Sequence, residues 1–215
     1  MTHVLKGITL DVHEGDFIAI MGKSGAGKST LMYQLSVLDR PTEGTLTIDG
    51  VTVSELTEHE QTLFRLNTLG YVFQDYALVP DLSAGENIVV PLLMKDQSWE
   101  EAKMHAEEAL IAVGLSDKYN NLPAQLSGGE QQRVAIARTI AGNPKIIFAD
   151  EPTANLDSIS GNAIIDLLGD LNCKGQTIVM VTHEEEYVKY CNRLVYMEDG
   201  VVVKEEQNKN RCTIA

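Results

Sequence analysis

The most constraining feature of this chain is the run Gly22-Lys23-Ser24-Gly25-Ala26-Gly27-Lys28-Ser29. It follows an unbroken apolar stretch at residues 17–21 and opens a segment that reads as a helix from Lys28 to about residue 38. A short apolar run bounded by turn residues predicts a buried strand. Strand, glycine loop and helix in this order make a phosphate cradle. The glycines let the backbone curl so that successive N–H groups face inward, and the positive end of the helix favours the same anion. Lys28 is then placed to reach the β and γ phosphates of a nucleotide and the Ser29 hydroxyl to ligate Mg²⁺, with Thr30 adding a contact beside the loop. A merely flexible glycine loop is the plain alternative, and the flanking strand and helix argue against it.

A second feature lies far downstream. Lys145-Ile146-Ile147-Phe148-Ala149-Asp150-Glu151 is an apolar strand ending in two carboxylates. In a parallel sheet the carboxyl ends of the strands line the ligand crevice, which puts these acids opposite the glycine loop. Successive strand residues point to opposite sides, so the two acids cannot share one task. Asp150 is expected to hold Mg²⁺ through water, and Glu151 to act as general base on the attacking water. Without the upstream loop, such a pair would read as an ordinary solvated strand end.

Leu126-Ser127-Gly128-Gly129-Glu130-Gln131-Gln132-Arg133 resembles the signature sequence of the ABC ATPases, and the order of the motifs along the chain agrees. The resemblance implies an α/β fold: a P-loop NTPase core, its parallel sheet flanked by helices, with an antiparallel β subdomain and an inserted α-helical subdomain. It implies that Ser127, Gly128, Gly129 and Glu130, at the start of a helix reaching residue 141, close over the nucleotide held by the other subunit. The family often has Gln where Glu130 stands, and an acid suits a helix N-terminus. Gln74, after a strand at residues 69–73, resembles the glutamine loop that touches Mg²⁺ and water. Ala154-Asn155-Leu156-Asp157 resembles the loop that crosses to the second subunit, with Asp157 as its anchor. His183, after a strand at residues 177–182, resembles the switch histidine at the γ-phosphate.

The implied catalytic set is therefore Glu151, His183, Gln74 and Lys28. The implied nucleotide contacts are residues 22–30 and 127–130, and the implied metal ligands are Ser29, Gln74 and Asp150. The acids at 184–186 read more simply as a solvated first helical turn. The family also places an aromatic ring upstream of the glycine loop to stack on adenine. Here only His3 and the turn residue His13 carry rings before Phe17, and no adenine-stacking residue is assigned.

Around these motifs, apolar positions alternate at Ile8, Leu10 and Val12, and residues 44–48 and 51–53 flank Asp49-Gly50. That pair tolerates positive φ and predicts a tight hairpin, part of an antiparallel flap. From residue 75 to about 126, Pro80, Pro91 and Pro123 read as breaks. Ala102, Ala106, Ala109, Leu110 and Val113 recur at helical spacing up to Gly114, which predicts an inserted helical lobe. Strands at 146–149 and 177–182 then alternate with helices near 159–171 and 184–191, as in a parallel sheet covered on both faces. Residues 194–197 and 201–203 form a closing hairpin. The expected organisation is one domain over residues 1–205, with core and flap at 1–75 and 141–205, the helical subdomain at 76–140 and a flexible tail at 206–215.

With 31 acidic against 17 basic side chains in 215 residues, the net charge of −14 disfavours non-specific adhesion to nucleic acid or anionic lipid. A membrane role would run through a protein partner, because the apolar stretch at 88–94 falls far short of the ~20 residues of a spanning helix. The N-terminus lacks the basic-then-apolar pattern of a secretion signal. Cys173, Cys191 and Cys212, odd in number and widely spaced, suit reduced thiols with no bridge and no metal spacing. The resemblance implies a cytoplasmic subunit on the inner face of the membrane. It would use ATP and Mg²⁺, work as a homodimer or beside a paired ABC subunit, and drive an integral membrane permease pressed near residues 74–91. Residues 38–44 and 73–80 look most like the lipoprotein-release, macrolide-export and cell-division group. A soluble ABC ATPase of the iron–sulfur assembly or DNA-repair type is the alternative, although the long coiled insertions and zinc-binding cysteines usual in repair members are not present.

Overall fold

The computed structural model describes residues 4–208 and residue 212. At its centre lies β1 (Phe17–Gly22), in which no residue before Gly22 exceeds 6% exposure. Both faces are covered, which is why the strand is apolar at every position instead of alternating. Phe17, Ala19 and Met21 enter one core layer and Ile18 and Ile20 the other, as a period of two requires.

β1 pairs in parallel with β6 (Thr177–Val181) on one side and β7 (Arg193–Glu198) on the other. β5 (Ile146–Asp150) and β4 (Leu69–Val72) extend the sheet beyond β6, and β8 (Val201–Gln207) runs antiparallel along β7. The order is β4-β5-β6-β1-β7-β8. Separately, β2 (Thr47–Ile48) and β3 (Val51–Thr52) form the expected hairpin, with Asp49 and Gly50 both at positive φ.

α1 (Lys28–Leu35) covers one face, where Leu31 and Met32 pack against Ile18, Ile20, Val179 and Val181. The other face carries α5 (Gly128–Ala141) and α6 (Ser158–Cys173), and the lobe helices α3 (Ala84–Leu93) and α4 (Trp99–Ala112) stack on α5. One apolar core runs from Ile147 and Met180 through Val134 and Ile136 to Ile88, Leu92 and Leu110. Each large aliphatic side chain buried there contributes about 1.5–3 kcal/mol, so the lobe is welded to the sheet through α5.

Several local expectations change. α1 ends at Leu35, short of residue 38, because the chain turns at Val37 (φ 60) and the Arg65 guanidinium donates to the Val37 carbonyl at 2.8 Å. α2 (Glu58–Thr68) has no apolar stripe to announce it, since Gln61 is its one buried residue; its signal is the capping box of Thr57 and Glu60. Pro91 breaks nothing. It sits inside α3, where the burial of Ile88, Val89 and Leu92 outweighs the lost hydrogen bond. Ile8, Leu10 and Val12 pack against the sheet without forming a strand. The segment near 184–191 is a 3₁₀ helix, Glu185–Tyr190.

The start of the expected tail is ordered: β8 reaches Gln207, and the Asn208 N–H donates to the Asn192 carbonyl at 2.7 Å. Residues 209–211 and 213–215 lie outside the described residues. The expectation of unbridged thiols fails for two of the three. Cys173, at the end of α6, and Cys212 form a disulfide, with their Cα atoms 5.4 Å apart. Cys191 is buried and free, with its thiol pKa pushed up by burial.

The caps of α2, α4, α5 and α6 use carboxylates held below their usual range by hydrogen bonding: Glu60 by Thr57, Glu101 by Ser98, Glu130 by Ser127 and Asp157 by Ser160. A pKa lowered by folding contributes stability above the unfolded value, and that contribution is lost as pH falls through the folded value. The melting temperature is therefore expected to drop on acidification below about pH 4.5. Glu101→Gln, which keeps the cap but cannot titrate, should make the drop shallower in melts followed by circular dichroism.

Candidate active site

The glycine loop is shaped by three backbone requirements. Gly22 (φ 151) lies so close to β7 that a Cβ there would meet the Met197 carbonyl oxygen at 2.2 Å. Gly25 and Gly27 take φ of 81° and 95°, in the region where glycine has no Cβ to clash. Gly27 then caps α1 without a side-chain hydrogen bond, whereas α2 to α6 are each capped by a side chain: Thr57, Ser83, Ser98, Ser127 and Asp157. The N–H groups of Lys28, Ser29 and Thr30 thus have no helical acceptor and open on a cavity.

That cavity, of about 620 Å³, is lined by residues 22–25 and 27–30, with Val4, Glu151 and His183. Lys28 is buried, and its ammonium donates to the carbonyls of Gly22 at 2.8 Å and Lys23 at 3.1 Å, so the charge is held inside the loop it serves. Ser29 is exposed into the space. Ala26 does not line the cavity: its methyl is buried in the core, and its N–H donates to the Lys23 carbonyl at 3.1 Å. Val4 is the one lining residue upstream of the loop, it carries no ring, and His3 is outside the described residues.

Across the cavity stands the end of β5. Asp150 is buried; burial, and then the neighbouring Glu151, raise its pKa, while a hydrogen bond at 3.4 Å from the Tyr71 hydroxyl and the Lys28 charge oppose that rise. Glu151 leaves the strand with φ 43, a left-handed conformation for a non-glycine residue, pinned by its N–H donating to Val181 at 3.0 Å. Such strain costs about 1–3 kcal/mol and collects at functional sites. Its Oε2 lies 3.5 Å from Nδ1 of His183. Just beyond, Glu184 accepts from the Thr153 hydroxyl at 3.0 Å, so the first of the three acids is a structural tie and only Glu185 and Glu186 are the expected solvated turn.

Besides Ala26, three sets of expected residues do not line this cavity: the buried Asp150, Gln74 and the signature residues. Gln74 is exposed beyond β4, and its carbonyl accepts from the Asn155 side chain at 3.0 Å. Ser127, Gly128, Gly129 and Glu130 lie at the start of α5. Glu130 accepts from the Ser127 N–H at 2.8 Å, and its own N–H donates to Ser127 Oγ at 3.3 Å. This box leaves the N–H groups of Gly128 and Gly129 without helical acceptors, while the Ser127 hydroxyl is engaged with Glu130. Sequence reasoning missed three residues tied to the site: Tyr71 on Asp150, Arg138 on the Tyr76 and Ala77 carbonyls at 2.9 and 2.5 Å, and Gln132 on the Pro152 carbonyl at 2.8 Å. Each pairs across long sequence separation, so its partner leaves no local signal, even for Gln132, which stands within the signature run.

Residues 5–154 match the family described as ABC transporter. The chain belongs to that family. It is 48% identical to the lipoprotein-releasing system ATP-binding protein LolD of Aquifex aeolicus, over 94% of this chain and 90% of that one. It is 46% identical to the macrolide export ATP-binding/permease protein MacB of Bdellovibrio bacteriovorus, covering 95% of this chain but 31% of that longer protein. The dimeric structure of a post-hydrolysis state of the ATP-binding cassette MJ0796, bound to ADP and Pi, superposes with a TM-score of 0.88 at 44% identity, over 96% of this chain and 91% of that one. This ABC protein is thus an ATP-binding, ATP-hydrolysing subunit of a transporter.

Since the backbone of β7 stands against Gly22, Gly22→Ala should unfold or reshape the loop. A loss of about 2–4 kcal/mol is expected, measured by urea denaturation, whereas Gly25→Ala, with nothing within 4 Å of its added Cβ, should lose less.

Proposed function

We propose that two copies of this ABC ATPase enclose ATP between the loop at residues 22–30 of one and Ser127, Gly128, Gly129 and Glu130 of the other, and that closing and reopening drives a permease. The observation that carries this reading is the division of the site. Lys28, Glu151 and His183 face one cavity, while the signature residues form a second set of donors on a different surface of the same chain.

Within the cavity, Lys28 neutralises the β and γ phosphates, and the N–H groups at the start of α1 accept the same charge. Glu151 takes the proton of the attacking water, and the His183 imidazole orients the γ-phosphate beside it. Gln74 joins from the β4 end, an assignment resting on the resemblance. Mg²⁺ suits the all-oxygen set of Ser29, Asp150 and Gln74, and the raised pKa of Asp150, desolvated next to a second acid, is the condition that a cation relieves. When bound, it supplies positive charge against the phosphate oxygens.

Among the described residues no helix is long and apolar enough to cross a membrane, and this reading gives the crossing to a permease. Val90 and Leu93 of α3 and Met94 at its C-cap, at i, i+3 and i+4, present an exposed apolar face. It overlaps the end of the segment at residues 74–91, which suits an integral permease subunit on the inner membrane face. Likeness to proteins named for lipoprotein release and macrolide export supports export or force transmission as the work done.

Lys28→Ala should lose about 2–5 kcal/mol of nucleotide affinity, more than ~30-fold, in equilibrium binding; retained affinity would remove the phosphate role. Glu151→Gln should lower turnover by roughly 10²–10⁴-fold while an ATP-bound dimer accumulates in analytical sedimentation, and parental turnover would eliminate Glu151 as base.

A further inference from the structure

Gln132 lies near the end of the signature run, in the first turns of α5, with its side chain completely buried. Its Nε2 donates to the Pro152 carbonyl at 2.8 Å and reaches the Phe73 carbonyl at 3.5 Å. Both neighbours are carbonyls, which only accept, so the amide orientation is settled by its partners. Pro152 follows Glu151 and Phe73 precedes Gln74, so one nitrogen holds the peptides beside both. Its Oε1 is also buried and has no hydrogen-bond partner among the described residues. A buried acceptor left unpaired opposes folding, and a methionine of similar volume would avoid that penalty. The glutamine is therefore not explained by packing.

Glu151 supplies the explanation. A left-handed residue before proline is strained and stays in place only where its surroundings over-determine it. Two ties restrain the turn from the sheet and from within: the Glu151 N–H donates to Val181 at 3.0 Å, and the Ala154 N–H donates to the Glu151 carbonyl at 3.1 Å. Gln132 adds a tie from outside, on the helix that Ser127 caps. We infer that Gln132 is a positioning residue for Glu151: it clamps the Glu151-Pro152 turn to the signature helix, so that engagement of the signature with the partner's nucleotide sets the base. This rests on the reading of Glu151 as general base.

The test is Gln132→Met, with Glu151→Gln and the double variant alongside, all as full chains with ATP. Loss of the clamp should lower kcat at least about tenfold, since a misplaced catalytic group loses rate without losing substrate. KM for ATP and the thermal midpoint should stay near parental values. In single-turnover assays the double variant should be no slower than Glu151→Gln alone, because both changes act through one group. Parental kcat in folded Gln132→Met overturns the inference, as does a further loss in the double variant or a kcat loss matched by equal loss of ATP binding. Should Gln132→Met fail to fold, Gln132→Asn, one methylene too short to hold both carbonyls, is judged by the same split. Parental turnover in Glu151→Gln would instead sink the reading of the base, a result distinct from an inactive Glu151→Gln beside a fully active Gln132→Met.

Discussion

Everything in the site depends on where β1 is held. The strand is clasped on both edges and buried on both faces, and its start is fixed by a buried ion pair. Arg193 donates to Asp16 at 2.8 Å, to Glu205 at 3.0 Å and to the Asp11 carbonyl at 2.6 Å, while Asp16 accepts from the His13 N–H at 2.9 Å. Such a pair gains little net stability against its desolvation, but it ties β1 to β7 and β8 in one register. Gly22 then arrives against Met197, and the loop beyond has one direction in which to curl. The same register sets Asp150 beside Val181 and Ala19 beside Met180, so the carboxyl ends of β1, β5 and β6 converge on one crevice.

Residues that chemistry demands at fixed spacing were legible in the sequence. The loop at 22–29, the acids ending β5 and the histidine after β6 all come together, because a parallel sheet delivers successive strand ends to the same edge. What local pattern could not carry was less legible. α2 buries too little to show a period, Pro91 is overruled by packing around it, and alternation at Ile8, Leu10 and Val12 serves burial without pairing. Ala26 matched the motif, yet its side chain belongs to the core. The links from Gln132 to Phe73 and from Cys173 to Cys212 span 59 and 39 positions, and only the folded chain brings their ends together.

Helix capping separates the anion-binding helix starts from the structural ones. α2, α3, α4 and α6 satisfy their first N–H groups with side chains that stay in place. α1 has no such side chain, which leaves its donors for a phosphate, in a chain whose overall charge of −14 would otherwise repel one. Local dipoles outweigh net charge here because they act within the first turn, well inside the ~8 Å screening length. α5 is intermediate: the box of Ser127 and Glu130 takes up part of its donor set and orients the remainder. An acid at position 130 fits, since its carboxylate is spent on the Ser127 N–H and an ion pair with Lys118 at 3.8 Å.

α5 also holds two strained turns at once. Arg138 grips the carbonyls of Tyr76 and Ala77, consecutive non-glycine residues at φ 64 and 48. Gln132 grips the turn at Glu151. Neither turn would be expected to keep its shape unaided, and both flank residues assigned to the reaction, Gln74 on one side and Glu151 on the other. The helix that carries the signature residues at its start is therefore the common anchor for the strained segments beside Gln74 and Glu151. A rotation of α5 by even a fraction of a turn would move both together, because the packed core between α5 and the sheet admits discrete shifts more readily than gradual deformation.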